Sequence, residues 1–87
     1  MNILSQDGKT LINYDNVASL YIQEVYQQYA TPSKHWEIRA MYPAVSEDIL
    51  YDKIAEFNDK EKCEDVFKDI VHQICNLRYN FIRVGSI

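Results

Sequence analysis

ILYDKIAEFNDKEKCEDVFKDIVHQICNLRYNF, residues 49 to 81, holds the change of hydrophobic period on which the fold turns. Its second part reads as a helix. With Cys63 at zero and about 100° added per residue, Val66, Phe67, Ile70, Val71, Ile74, Leu77 and Phe81 fall within an arc of about 140°, opposite Asp65, His72 and Asn76. Asn58 followed by Glu61 resembles a capping box. Acidic residues crowd the first turns and Arg78 lies near the end, the order that the helix dipole favours. Such a stripe must lie on a large apolar partner, and a sheet is the partner available. Residues 49 to 57 fit two periods at once. Ile49, Tyr51, Ala55 and Phe57 alternate as in a strand, whereas Leu50, Ile54 and Phe57 share one side of a helix, and periodicity alone leans to the helix.

Upstream, the chain reads as strands joined by turns. Asp7-Gly8 predicts a two-residue type I′ turn that pairs Gln6 with Lys9, Ser5 with Thr10, Leu4 with Leu11 and Ile3 with Ile12. A second turn at Asp15-Asn16 would pair Tyr14 with Val17 and Leu11 with Leu20. Residues 17 to 29 are contested: Val17, Leu20, Tyr21, Glu24, Val25 and Gln28 recur at helical spacing, but β-branched and aromatic residues are dense. A strand would continue the meander and is preferred. Thr31-Pro32-Ser33-Lys34 reads as a turn. His35 to Tyr42 then alternates cleanly, Trp36, Ile38, Ala40 and Tyr42 against His35, Glu37, Arg39 and Met41, until Pro43 ends it.

The run ILSQDGKTLINYDNV, residues 3 to 17, resembles the opening of a family of small uncharacterised proteins from Firmicutes and their mobile elements. The likeness is specific over these fifteen positions and looser afterwards, where the shared order is a hydrophobic strand, an acidic start and an amphipathic helix. It implies a short β-meander closed by one C-terminal helix, and this shared order moves residues 49 to 57 from helix to strand. Residues 23 to 30 and the extension from Leu77 depart from the pattern. No function is assigned to that family, so the resemblance carries over no catalytic residue. The expected fold is therefore α+β, an antiparallel β-meander of about five strands packed on one C-terminal amphipathic helix. Residues 1–81 would be one domain and residues 82–87 a tail.

Length and charge exclude much. The chain has 87 residues, 13 acidic against 9 basic, for a net charge of −4. That length suits one domain. Clustered Lys and Arg for a phosphate backbone are missing, so nucleic acid is not an expected partner. The start MNILSQD has no basic n-region followed by an apolar run, and no stretch of about 18 apolar residues occurs, so a cytoplasmic protein without membrane association is expected.

Candidate chemistry is sparse. Cys63 and Cys75 stand about 18 Å apart along a helix, too far for a disulfide, and Cys63 falls on the core stripe. His72 and Cys75 could share a metal or form a nucleophile and base, but no third group completes either site. The carboxylates Asp48, Asp52, Glu56, Asp59, Glu61, Glu64 and Asp65 read mostly as a helix start and a solvated face. Neither a Walker nor a dinucleotide fingerprint occurs. No catalytic residue, cofactor or metal is therefore expected.

The aromatic surplus remains, with seven tyrosines and one tryptophan. Tyr21, Tyr26, Tyr29, Trp36, Tyr42 and Tyr51 all come from the expected sheet, and one helix covers one face only. An exposed aromatic face or edge points to a non-catalytic module that self-associates or binds a protein. The alternatives are a ligand-binding module with an aromatic pocket, or a small Cys/His enzyme.

Overall fold

The hairpin forms where Asp-Gly predicts it, but its loop is longer. In the computed structural model, which describes residues 2–28, 33–43, 50–76 and 81–84, β1 (Asn2–Leu4) pairs antiparallel with β2 (Leu11–Asn13). Leu4 lies opposite Leu11 and Ile3 opposite Ile12, as read. The turn itself spans Ser5 to Gly8, closed by Gly8 N–H donating to Ser5 O (2.9 Å), with Ser5 N–H donating to Thr10 O (2.9 Å). The pairing therefore closes at Ser5 and Thr10, and Gly8 supplies the left-handed position at φ 72. Side chains complete the loop. Ser5 Oγ donates to Asp7 Oδ1 (2.6 Å), which also accepts from Lys9 N (2.9 Å), and these bonds hold the Asp7 carboxyl below its ordinary pKa. Gln6 does not pair with Lys9, because its N–H donates to Ile54 O at 2.8 Å on the second sheet.

The expected pairing of Leu11 with Leu20 does not form. Asn13 Oδ1 accepts from Asp15 N (3.1 Å) and Val17 N donates to Tyr14 O (3.0 Å), winding Tyr14–Asn16 into a 3-10 turn. That corner sends β3 (Ser19–Gln27) away from β2, and Leu20 faces Ala40 of β4 (Ser33–Met41) instead. The residues of Ser33-Lys34 belong to β4 rather than to a turn, while Thr31 and Pro32 lie outside the described residues. The described parts of residues 17 to 29 and 49 to 57 supply strands, as preferred, with β5 at Tyr51–Phe57. Strands β3, β4 and β5 form an antiparallel meander in that order.

β5 carries a bulge. Ile38 faces Ala55 but Arg39 faces Lys53, so Ile54 is the extra residue. The phase of alternation shifts there: Ala55 and Phe57 share a face with Ile38 and Trp36, whereas Tyr51 shares the opposite face with Arg39 and Met41. The expected set Ile49, Tyr51, Ala55 and Phe57 is thus split, and Ile49 lies outside the described residues.

Helix α1 (Lys60–Asn76) covers the Trp36–Ile38–Ala40 face. Its cap is Asp59 rather than Asn58: Asp59 Oδ1 accepts from Glu61 N (2.9 Å) and its carbonyl from Cys63 N (3.1 Å). One hydrophobic cluster joins Ile3, Ile12, Ile38, Ala40, Ile54, Ala55, Phe57, Cys63, Val66, Ile70 and Val84. Phe81 does not continue the helix. Strand β6 (Phe81–Arg83) lies parallel to β1, and Val84 N donates to Leu4 O at 3.2 Å. Residues 82 and 83, read as the start of a tail, thus lie in a strand: β1 has a second edge to pair, and the residues that take it are β-prone. No helix among the described residues is long and apolar enough to cross a membrane.

Candidate functional site

β4 is the central strand of its sheet, so its two rows of side chains meet different surroundings. Trp36, Ile38 and Ala40 turn to the helix and core. His35, Glu37 and Arg39 turn to the other face, flanked by Tyr21, Gln23 and Val25 on β3 and by Tyr51, Lys53 and Glu56 on β5. Although no helix lies on that face among the described residues, His35 and Glu37 are each only 8% exposed. Val25 and Gln23 of β3 and Glu56 of β5 stand beside them in the ladders.

Register makes this a demanding place. Glu37 stands directly opposite Glu56, a like-charge pair that is destabilising unless cations intervene. His35 Nε2 lies between them, 2.9 Å from Glu37 Oε2 and 3.0 Å from Glu56 Oε1. The outer oxygens meet cations. Arg39 contacts Glu37 Oε1 through Nε and a terminal nitrogen, both at 2.8 Å, and Lys53 Nζ is 3.8 Å from Glu56 Oε2. Burial pushes the Glu37 carboxyl up, but the bonds from His35 and Arg39 outweigh it and hold the group below its ordinary range. For Arg39, burial works against the guanidinium. Its hydrogen bonds to Glu37 and Tyr21 prevail, and its guanidinium lies 4.2 Å above the Tyr51 ring.

Of the six aromatics read as a possible interaction surface, the five among the described residues do not share one face. Tyr21 and Tyr51 flank Arg39 on the open face. Trp36 and Tyr42 pack against the core from the other side, and Trp36 pairs across the ladder with Phe57. Tyr26 is exposed near the end of β3, and Tyr29 lies outside the described residues. The Tyr42 hydroxyl donates to Asp52 Oδ2 at 2.6 Å. Burial first, then this bond and the carboxylate's charge, push its phenol up to about 12. The folded chain therefore keeps this proton where an unfolded tyrosine, at 10.0, has lost it. The stabilisation is complete below pH 10 and disappears as the pH rises to about 12. In an ultraviolet titration, one phenolate step near pH 12 should be present in the native protein and absent from Tyr42→Phe; superimposable curves would contradict the assignment.

The residues singled out on the helix stay apart from this cluster. Cys63 is fully buried, and burial raises its thiol pKa. Cys75 and His72 are exposed, and His72 Nε2 contacts Asn76 Nδ2 at 2.8 Å. Sequence reading set His35, Glu37 and Arg39 in one alternating row and Glu56 among carboxylates read mostly as a helix start and a solvated face. Their meeting depends on the bulged register of β5, which no local pattern displays.

Gln6 fixes the outer edge of β5 beside Glu56. Its N–H donates to Ile54 O, and its Oε1 accepts from Glu56 N at 3.0 Å. An open cleft of about 220 Å³ lies there, lined by Gln6, Asp7, Lys53, Ile54, Ala55 and Glu56. It is smaller than an ordinary small-molecule site and has no aromatic wall. The chain matches no family model, no curated protein and no solved structure.

Proposed function

We propose that the protein is a small non-catalytic interaction module that pairs with a second copy of itself through the outer edge of β3. The contrast between the two edges of the β3-β4-β5 sheet carries this reading. The β5 edge is engaged by Gln6. β3 is nine residues long, and among the described residues no strand lies on its outer side. Its sequence SLYIQEVYQ contains no proline and no lysine, and its pairing with β4 runs without a register shift. Those are the devices that ordinarily blunt an edge. Its single charge, Glu24, is already held by Lys34 of the same chain at 3.1 Å.

The strand is also self-complementary about Gln23. In an antiparallel pair of copies centred there, Tyr21 would meet the second copy's Val25, and Leu20 its Tyr26. Aromatic and aliphatic cross-strand partners of this kind stabilise a ladder. Two three-stranded sheets would become one continuous sheet. The cost of an unpaired edge would be removed for both copies.

Light scattering after size exclusion should give a dimer mass. Gln23→Lys, at an exposed position, should place two like charges across the two-fold axis and weaken association by on the order of tenfold, with an unchanged circular dichroism spectrum. A strictly monomeric protein at high concentration would overturn the proposal, as would a dimer indifferent to Gln23→Lys.

A further inference from the structure

The geometry of His35, Glu37 and Glu56 points to a binding site for a first-row divalent cation, zinc foremost, on the open face of the β3-β4-β5 sheet. One ligand atom from each residue enters a group whose members all lie within 4.8 Å of one another. Nε2 stands 2.9 and 3.0 Å from the two carboxylate oxygens. Ligands bonded to zinc at about 2.0–2.1 Å stand about 3 Å apart when they are neighbours in the coordination shell. Two of the three donor separations therefore already match the spacing that a shared ion requires, and the third lies within 4.8 Å.

The same contacts also fall short of hydrogens. One ring nitrogen carries at most one hydrogen, yet two carboxylate oxygens face it at hydrogen-bond distance. A proton must be shared between them, whereas a cation would satisfy all three lone-pair donors together. The outer oxygens are meanwhile held, Glu37 by Arg39 at 2.8 Å and Glu56 by Lys53 at 3.8 Å. This is the arrangement of a ligand carboxylate oriented by an outer partner. His35 and Glu37 belong to one strand and Glu56 to its neighbour, so the ligands come from a rigid ladder rather than a loop.

Donor chemistry selects the ion. One imidazole with two carboxylates suits zinc, manganese or cobalt; a thiolate would be needed to favour copper(I), and calcium or magnesium would favour oxygen throughout. Glu56, with a side chain 45% exposed, leaves the remaining coordination positions open to water. Arg39 and Lys53 offset the two carboxylate charges, so the affinity expected is on the order of micromolar. The site lies on β4 and β5, one strand in from the β3 edge, and does not depend on self-association.

Calorimetric titration of the full chain with zinc should show one ion per chain, and cobalt should give a visible absorption spectrum of a nitrogen- and oxygen-ligated ion. Glu56→Gln, at the most exposed ligand, and His35→Gln should each weaken zinc binding by on the order of a hundredfold, while His72→Ala on the helix leaves it unchanged. Zinc should also raise the unfolding temperature of the native protein and not that of Glu56→Gln. No binding by the folded native chain would overturn the proposal. Undiminished binding by Glu56→Gln, or loss of binding on His72→Ala, would do the same.

Discussion

Ile38→Ala is expected to cost about 3–5 kcal/mol and to lower the unfolding temperature by about 15–30 °C. Ile38 is 0% exposed at the middle of β4, faces Ile22 and Ala55 across the two ladders, and belongs to the cluster that α1 covers. Truncation removes three carbons where the strand on either side fixes the backbone, so the cavity cannot collapse. A domain of this length has about 4–13 kcal/mol in total, and the variant should be largely unfolded at physiological temperature. Ile38→Val should cost only about 0.5–1.5 kcal/mol. Val71→Ala, on the exposed side of α1, should stay within roughly 0.5 kcal/mol of native. Denaturant unfolding of the three variants checks the order, and equal losses at residues 38 and 71 would mean that the core has been placed wrongly.

Local chemistry made part of this fold legible. The hairpin register from Ile3 to Ile12 follows from Asp7-Gly8 and two short apolar runs, and α1 follows from the 3.6-residue recurrence of Cys63, Val66 and Ile70. The loop length did not follow. It is set by Gln6, whose bonds go to Ile54 and Glu56 in a strand about fifty residues away. The conflict of periods in residues 49 to 57 has a physical origin in the bulge. An extra residue at Ile54 places Ile54, Ala55 and Phe57 all in the core, so a bulged strand imitates the uneven spacing of a helix face. Phe81 fits the helical arc equally well, yet it pairs with Asn2, because an arc records phase and not where a helix stops.

The charged cluster was hidden for a related reason. Alternation separates the two faces of a strand but does not say whether the strand is central, and a central strand can bury its polar row between its neighbours. His35, Glu37 and Arg39 alternate with the core residues like any solvated face. Only the pairing of Glu37 with Glu56 brings a second carboxylate to them. The aromatic surplus was likewise visible as a count and invisible as a placement. Trp36 and Tyr42 pack half-buried against the core, and Tyr21 and Tyr51 flank Arg39.

Glu37→Ala should cost roughly 2–4 kcal/mol, far more than an exposed ion pair contributes, because of what it leaves behind. Without Glu37, Arg39, whose side chain is only 16% exposed, loses its bonds to Glu37 and keeps little water to replace them. His35 would retain Glu56 alone. The loss arises from stranded polar groups rather than from the attraction removed, and that distinction is measurable. A triple variant, His35→Val with Glu37→Val and Arg39→Val, removes the stranded groups together with the carboxylate and supplies β-branched residues suited to a strand. It should recover most of the stability that Glu37→Ala loses, by denaturant unfolding at low protein concentration. If the triple variant is as unstable as the single one, the network stabilises the sheet in its own right. If it recovers, stability does not account for the polar row, and binding becomes the reason to keep a histidine between two glutamates.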